Sequence, residues 1–199
     1  MKKATFIFQS IFIVVVAISL SGCFGRGEDD PFLSLHTRDA RLAQNWKMVE
    51  MQGTVVNTID GMSTTTRYEF DGSNIFITSD GSTVSYGYTY NMNIKDNGDI
   101  QTTETFTDPA NANQEIQTST KTSFWFWSND DKNKTTVNLD ATGILADYQS
   151  YDIPRLAWSD MTLTVNFSDN YQQTADTTVI SSSSTVDFLI KFEYDNGRN

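Results

Sequence analysis

Strict alternation of apolar and polar residues over residues 83–95 constrains the fold of this 199-residue chain more than any other feature. Side chains alternate between the two faces of a β-strand but scatter around a helix, so a period of two predicts a strand with one apolar face. The same period recurs over 161–167 and 186–194. The apolar face of the first strand is predicted to hold Val84, Tyr86, Tyr88, Tyr90, Met92 and Ile94.

Turn dipeptides separate the apolar runs, and each tolerates the positive φ that a tight hairpin needs. These are Asp60-Gly61, Asp71-Gly72, Asp80-Gly81 and Asn97-Gly98, with a further turn over 128–134. No helical pattern lies between the apolar runs, which argues against βαβ units. Strands are predicted near 46–56, 63–70, 74–79, 83–95, 99–107, 114–127, 134–141, 149–153, 161–168, 173–181 and 185–194.

Because some of these runs are expected to merge, the prediction is all-β, an antiparallel meander of about eight to ten strands. Such a meander removes its exposed edges by closing into a barrel or by folding into a sandwich. The first and last strands are both long and apolar enough to pair, which favours a barrel. The predicted helix is one short turn over Arg38 to Ala43, with Thr37 as its N-cap.

The N-terminus has the layout of a secretory signal peptide: Lys2 and Lys3, then an apolar stretch over 4–20, then small residues. The tetrad Leu-Ser-Gly-Cys that ends at Cys23 resembles the bacterial lipobox. That resemblance implies a diacylglycerol on the Cys23 thiol, cleavage before it and acylation of the new N-terminus. An uncleaved membrane helix is the alternative, although about 17 apolar residues is at the short end for spanning a bilayer.

The predicted organisation is a signal peptide over 1–22, a lipidated flexible acidic tether over 23–31, and a barrel domain over 32–199. Cys23 is the only cysteine, so an internal disulfide is impossible and lipidation gives the thiol a role. Phe24 stands where an Asp would favour the inner membrane in Gram-negative bacteria, which favours the outer membrane.

The acids that follow, Glu28, Asp29 and Asp30, resemble the surface-export tag of Bacteroidota lipoproteins. They are equally typical of a solvated tether that repels itself, and both interpretations stay open. Which leaflet and which face of the outer membrane carry the chain is likewise open.

The charge balance excludes some partners. Without residues 1–22, which hold two lysines and no acids, the formal net charge falls from −11 to −13. A chain this acidic is repelled by nucleic acid and by anionic lipid, so nucleic-acid binding is excluded and membrane contact would need the covalent lipid.

The segment from Asp30 to Val49 resembles the entry segment of lipocalin-like lipoproteins of Bacteroidota. The shared features are Asp-Pro-Phe, Leu-Ser-Leu, an Ala-Arg and the tryptophan Trp46 that opens the barrel, although Gln44 replaces the glycine of that family. The late run over 153–165 and the aromatic last strand are similar as well. The resemblance implies an antiparallel lipocalin-like β-barrel, often without a known ligand, and implies no catalytic residues.

A mixture of small polar and aromatic side chains on predicted inner faces suggests an interior ligand cavity. Its predicted lining is Tyr88, Tyr90, Glu104, Thr120 and Phe124. A buried glutamate needs a partner or water, which is consistent with such a cavity. The alternative is a register error on the strand over 114–127, since a shift of one residue would turn its threonines towards water.

Aromatic residues occupy both faces of that same strand near its end. If Phe124 and Phe126 point inward, then Trp125 and Trp127 point outward and could bind a partner protein or lipid headgroups. The alternative is that the domain itself covers them.

No catalytic or metal constellation appears in the sequence, so the chain is predicted not to be an enzyme and to carry no cofactor. His36 is the single histidine and lacks zinc-ligand spacing. Calcium on Asp96 and Asp99, or on Asp130 and Asp131, is an alternative that no EF-hand pattern supports. The predicted function is a lipid-anchored outer-membrane protein that binds a small apolar or amphipathic ligand. The alternative is a non-enzymatic accessory subunit of an envelope protein assembly.

Overall fold

The computed structural model of the chain describes residues 29–31, 36–108, 110–128, 133–175 and 178–197. The predicted signal peptide, Cys23, Phe24, Glu28 and the acids Asp130 and Asp131 lie outside the described residues. Among the described helices, none has the length and apolar character needed to cross a bilayer.

The protein is a closed antiparallel β-barrel of ten strands, which confirms the predicted fold class. One short helix, α1 (Arg38–Leu42), precedes the strands, and the Thr37 hydroxyl caps it by accepting from the Ala40 amide as predicted. The strands are β1 (Asn45–Ile59), β2 (Met62–Phe70), β3 (Asn74–Ser79), β4 (Ser82–Ile94), β5 (Asp99–Asp108), β6 (Asn111–Trp127), β7 (Thr136–Leu139), β8 (Ser150–Leu156), β9 (Asp160–Ala175) and β10 (Thr178–Tyr194).

The two ends of the barrel differ. At the end that carries α1, here called the base, β1 pairs with β4 through residues 45–47. Farther along, residues 51–59 of β1 pair instead with β2, so the β2–β3 hairpin widens the barrel towards its other end, here called the mouth. The turns that join β1 to β2, β3 to β4, β5 to β6 and β9 to β10 all lie at the mouth.

The predicted turn chemistry is confirmed at the mouth. Asp60 and Gly61 have φ values of 49° and 80°, and Asp80 and Gly81 have φ values of 50° and 79°. Two consecutive residues with positive φ are typical of the type I′ turn, whose twist matches that of the paired strands.

Near the C-terminus, two long strands replace three predicted ones. The prediction left residues 169–172 and 182–184 between strands, but these polar stretches pair with each other and extend the β9–β10 hairpin. Ser182 lies opposite Tyr171 and Ser184 opposite Asp169. Ladder hydrogen bonds belong to the backbone, so polar side chains on both faces did not prevent pairing.

The barrel wall is low on one side. β6 pairs with β7 only through residues 125–127, and β7 pairs with β8 only through residues 136–138. The connection between β7 and β8, residues 140–149, turns inward there and forms a 3₁₀ turn over Gly143–Leu145. This segment, here called the plug, buries Leu145 and packs Ile144 and Tyr148 against the core.

The core at the base is dense. Trp46 is fully buried, and its indole N–H donates to the Leu42 carbonyl at 2.8 Å, which ties α1 to β1. The predicted inner face of β4 is confirmed. The four side chains of this face that lie nearest the base are buried, and the face becomes exposed to solvent only near the mouth. The buried residues are Tyr88, Tyr90, Met92 and Ile94.

The short segment 29–31 lies against β8 at the base. Asp30 is buried, pairs with Arg38 and Arg41, and accepts a hydrogen bond from the Leu156 amide at 2.6 Å. The prediction of a solvated tether over 23–31 is therefore wrong for Asp30, because two guanidinium groups and an amide replace water around its carboxylate.

Candidate functional site

Tyr88, Tyr90 and Glu104 meet inside the barrel, as the sequence predicted. The Tyr88 hydroxyl donates to Glu104 Oε1 at 2.9 Å. β4 and β5 place the three together, because Tyr90 lies directly opposite Glu104 in their ladder and Tyr88 opposite Phe106.

The plug occupies the space that these side chains enclose. The Ile144 amide donates to Glu104 Oε1 at 3.0 Å, and the Tyr90 hydroxyl donates to the Thr142 carbonyl at 3.2 Å. The Tyr151 hydroxyl lies 2.9 Å from the carbonyls of both Leu145 and Tyr148. The polar groups predicted to bind a ligand therefore bind the backbone of the chain itself.

Gly143 allows the plug to approach this closely. Its φ is +63°, and a Cβ placed on it would lie 2.0 Å from Glu104 Oε2. The carboxylate thus packs against a glycine Cα, where a larger residue would collide with it. No periodic pattern in the sequence indicates this contact, because the plug belongs to no strand.

Thr120 and Phe124 do not line the interior. Ser119 lies opposite Glu104 in the β5–β6 ladder and shares its inner face, so Thr120 and Phe124 lie on the outer face, where Phe124 is 61% exposed. The predicted register of β6 is wrong by one residue. A register error on this strand, which would turn its threonines towards water, was the alternative stated in the sequence analysis.

The same shift reverses the two tryptophans. Trp125 is only 8% exposed, and its indole N–H donates to the Lys95 carbonyl at 2.7 Å. Trp127 is partly buried and donates to Asp39 Oδ1 at 2.7 Å. Both therefore help to close the base instead of forming the predicted outer partner surface. Four aromatic residues in a row removed the alternation that would have fixed the register.

Aromatic side chains continue from the core to the mouth. Tyr86 and Phe106 contact edge to face with ring centroids 5.8 Å apart, and Tyr68 lies 5.6 Å from Phe188. On the plug, Tyr148 lies 5.4 Å from Phe188 and 5.9 Å from Phe167. These rings, except the buried Phe188, are partly exposed, so the apolar inner face extends past the plug to solvent.

A cleft of about 450 Å³ opens beside the plug, between residues 147–152 and β9. Tyr148, Val165 and Phe167 give it apolar walls, and Asp147 and Asp152 lie at its sides. A second hollow of about 270 Å³ lies farther out, between β1, β9 and β10. Neither Tyr148 nor Phe167 was predicted as a site residue: Tyr148 lies in a loop without a pattern, and the alternation over 161–167 places Phe167 on an apolar face without marking a site.

Burial raises the pKa values of four tyrosines at the site. It raises the pKa of Tyr148 to about 12 and raises those of Tyr88, Tyr90 and Tyr151, with the negative charge of Glu104 adding to the shift at Tyr88 and Tyr90. The neutral phenols are thus favoured by the fold.

We expect the protein to lose stability as the pH rises above about 10, the ordinary pKa of tyrosine. A raised pKa means that the folded state holds more protons than the unfolded state, so this contribution is fully present below pH 10 and is lost towards the raised values. Absorbance at 295 nm and circular dichroism, followed together through alkaline pH, measure it. Tyr151→Phe should weaken the dependence on pH, and the exposed Tyr171→Phe should leave it unchanged. Equal dependence in both variants would contradict the assignment.

Among the described residues, no group of three or more His, Cys, Asp or Glu side chains could hold a metal ion. His36 stacks on Trp158 with ring centroids 4.1 Å apart. The side chain of Asn97 bridges to Asp99 within the β4–β5 turn, donating to Asp99 Oδ2 at 2.8 Å.

Comparison with known proteins gives a structural alignment of low similarity. No protein-family model matches the chain, and no curated protein matches it. A solved structure described as a polyisoprenoid binding domain from Saccharophagus degradans implicated in plant cell wall breakdown aligns over 75% of this chain and 98% of that one. The two are 8% identical with a TM-score of 0.26. Similarity at this level carries no argument about what the present chain binds.

Proposed function

We propose that this protein is a lipid-anchored, non-enzymatic binding protein of a bacterial outer membrane. It takes a small apolar or amphipathic ligand at the mouth of the barrel, in the cleft beside the plug. The observation that carries the proposal is the apolar inner face that continues past the plug and ends in partly exposed rings.

The position of the ligand follows from how the interior is filled. Trp46, Tyr90 and Leu145 are fully buried, and the plug uses the polar groups at the centre. Beside the plug, a cleft of about 450 Å³ has the size range of small-molecule sites, and Tyr148, Val165 and Phe167 form an apolar part within a largely polar lining.

The chemistry of the cleft favours a particular ligand class. Tyr148, Val165 and Phe167 would contact an apolar body, and Gln149 and Asn166 offer hydrogen bonds at its edge. Asp147 and Asp152 place negative charge beside the same cleft, which disfavours anionic headgroups. The ligand we propose is therefore neutral or cationic at its polar end.

The anchor rests on the sequence. Cys23 ends a lipobox-like tetrad that follows an apolar segment, and two or more acyl chains would hold an acidic domain at a membrane stably. Phe24 favours the outer membrane, as argued from the sequence.

We expect the neutral fluorophore N-phenyl-1-naphthylamine to bind the protein and to brighten in the cleft. Phe167→Ala should weaken its binding about tenfold, because truncating a half-exposed ring removes part of the about 1.5–3 kcal/mol that a buried Phe provides. Fluorescence titration measures the dissociation constant. Ile116→Ala, at an apolar residue of β6 that is exposed and lines neither this cleft nor the hollow beside Phe124, is the control and should bind as the unmodified protein does. Absent binding, or equal effects of the two substitutions, would contradict the proposed cleft.

A second candidate function rests on the outer face. Phe124 and Phe126 stack with ring centroids 6.3 Å apart, both exposed, beside a hollow of about 240 Å³ that reaches Leu139 and Gln149. Exposed aromatic pairs suit a protein partner, which would make the chain an accessory subunit of an envelope assembly. Native mass spectrometry of protein purified from its own host separates the two functions, through a retained small molecule or a retained protein.

A further inference from the structure

We propose that the base of the barrel faces the membrane that carries the anchor, so that the mouth and its cleft point away from it. The partner surface is a lipid headgroup layer under α1 and the β4–β5 and β8–β9 turns. This inference rests on the anchor in the proposed function.

The N-terminal segment reaches the barrel at β8. The Asp29 amide donates to the Pro154 carbonyl of β8 at 2.9 Å, and Arg155 Nη1 donates to the Asp29 carbonyl at 2.9 Å. β8 runs from the plug towards the base and ends there at Leu156. The chain therefore joins the barrel at its base.

A buried cluster of charged side chains holds the N-terminal segment to the base. Asp30 pairs with Arg38 and Arg41, and all three side chains are buried. Arg38 Nη2 also donates to the Ile153 carbonyl at 3.2 Å, so the cluster links the N-terminal segment, α1 and β8. Removing a partner from a buried charge cluster costs several kcal/mol, so the segment is expected to stay bound to the base.

The chain between Cys23 and Asp29 is short compared with the height of the barrel. Five residues lie between Cys23 and Asp29, and the six Cα–Cα steps from one to the other reach about 20 Å at no more than about 3.6 Å each. The 17 residues of β10 span about 55 Å at about 3.3 Å per residue, or about 40 Å along the axis at a usual barrel tilt. The linker is too short to bring the mouth to the bilayer. An uncleaved segment over 4–20 would hold the base almost as close.

The base exposes side chains of the kind that contact lipid headgroups. Trp158 and Tyr194 are 47% and 44% exposed there, and they border a shallow hollow together with Asn93 and Asn97. Tryptophan and tyrosine are enriched where proteins meet lipid headgroups. Asp96, in the same hollow, disfavours anionic lipid, so the surface fits zwitterionic headgroups best.

The consequence concerns ligand delivery. With the base on the membrane, the cleft beside the plug lies at the far end of β8, in the space away from the anchoring leaflet. A ligand would then enter from that space and not by lateral diffusion from the bilayer to which the protein is anchored.

The test uses the full acylated chain in vesicles of phosphatidylethanolamine with a minor share of phosphatidylglycerol and a headgroup-attached quencher. Acylation blocks the Cys23 sulfur, so one introduced cysteine is the only thiol to label. Asp96→Cys reports from the base, and Met62→Cys, in the β1–β2 hairpin at the mouth, is its matched control. We expect the Asp96→Cys label to lose most of its emission and the Met62→Cys label to keep nearly all of it.

Failure of the orientation and failure of the anchor give different results. Equal or stronger quenching at Met62→Cys, in chains that float with the vesicles, would overturn the orientation. A chain that leaves the vesicles in flotation would overturn the anchor itself and, with it, the orientation. The Cys23→Ser chain, labelled at the same positions, sets the level of unquenched emission expected without attachment.

Discussion

Replacing Asp30 by alanine is expected to lower the free energy of unfolding by about 3–5 kcal/mol, because it removes the carboxylate that pairs with two buried guanidinium groups. Asp30 pairs with both Arg38 and Arg41 and also accepts from the Leu156 amide at 2.6 Å. All of these groups would lose a partner in a place that water does not reach. Urea unfolding of the purified protein measures the change.

The neighbouring residue supplies the control for this substitution. Asp29 is exposed and contacts the barrel through backbone atoms, so Asp29→Ala should change stability by less than about 0.5 kcal/mol. Adding Arg38→Met to Asp30→Ala should restore part of the lost free energy of unfolding, since it removes one of the two buried positive charges that Asp30 neutralises. A loss below about 1 kcal/mol for Asp30→Ala would mean that water or another group already solvates the arginines.

Alternation was sufficient to predict the antiparallel sheet, and the length and apolar character of the first and last strands favoured its closure into a barrel. On β4 each apolar residue from Tyr88 to Ile94 is buried, and Met161 and Leu163 on β9 follow the same rule. A strand with one apolar and one polar face has only one orientation that buries its apolar side chains. The fold class, α1 and the hairpin turns could therefore be predicted without knowledge of any contact.

Prediction failed where that alternation was absent. On β6, Phe124 and Trp125 are both large and apolar, and hydrophobicity alone does not decide which one is buried. The structure places the indoles inward, where their N–H groups find the Lys95 carbonyl and the Asp39 carboxylate. The need of a buried indole for an acceptor is a signal that could have favoured this register.

The site was predictable only in part, for a related reason. Glu104 stood out because a charge on an apolar face is rare, and it does lie beside Tyr88 and Tyr90. Its second partner, the Ile144 amide, belongs to a loop 40 residues away in sequence. Contacts of that kind depend on how the β7–β8 connection folds, and no local pattern records it. The same holds for Asp30, because its two arginine partners come together with it only when the base has folded.

Gly143→Ala is expected to lower the free energy of unfolding by about 2–5 kcal/mol. The left-handed backbone at Gly143 costs an alanine about 1–2 kcal/mol, and overpacking against Glu104 adds about 1–3 kcal/mol. A Cβ there would lie 2.0 Å from Glu104 Oε2, and the carboxylate can move away only by giving up its bonds to Tyr88 and Ile144.

Two companion variants separate these contributions. Gly81→Ala carries the same backbone penalty, since its φ is +79°, but nothing lies within 4 Å of an added Cβ. It should therefore cost only the backbone share, about 1–2 kcal/mol. In a background of Glu104→Ala, Gly143→Ala should cost no more than Gly81→Ala does, because the collision is gone. A double-mutant cycle from urea unfolding then gives a coupling of about 1–3 kcal/mol between Gly143 and Glu104. A coupling near zero would show that the plug can leave the carboxylate at little cost, and the interior would then be open to a ligand.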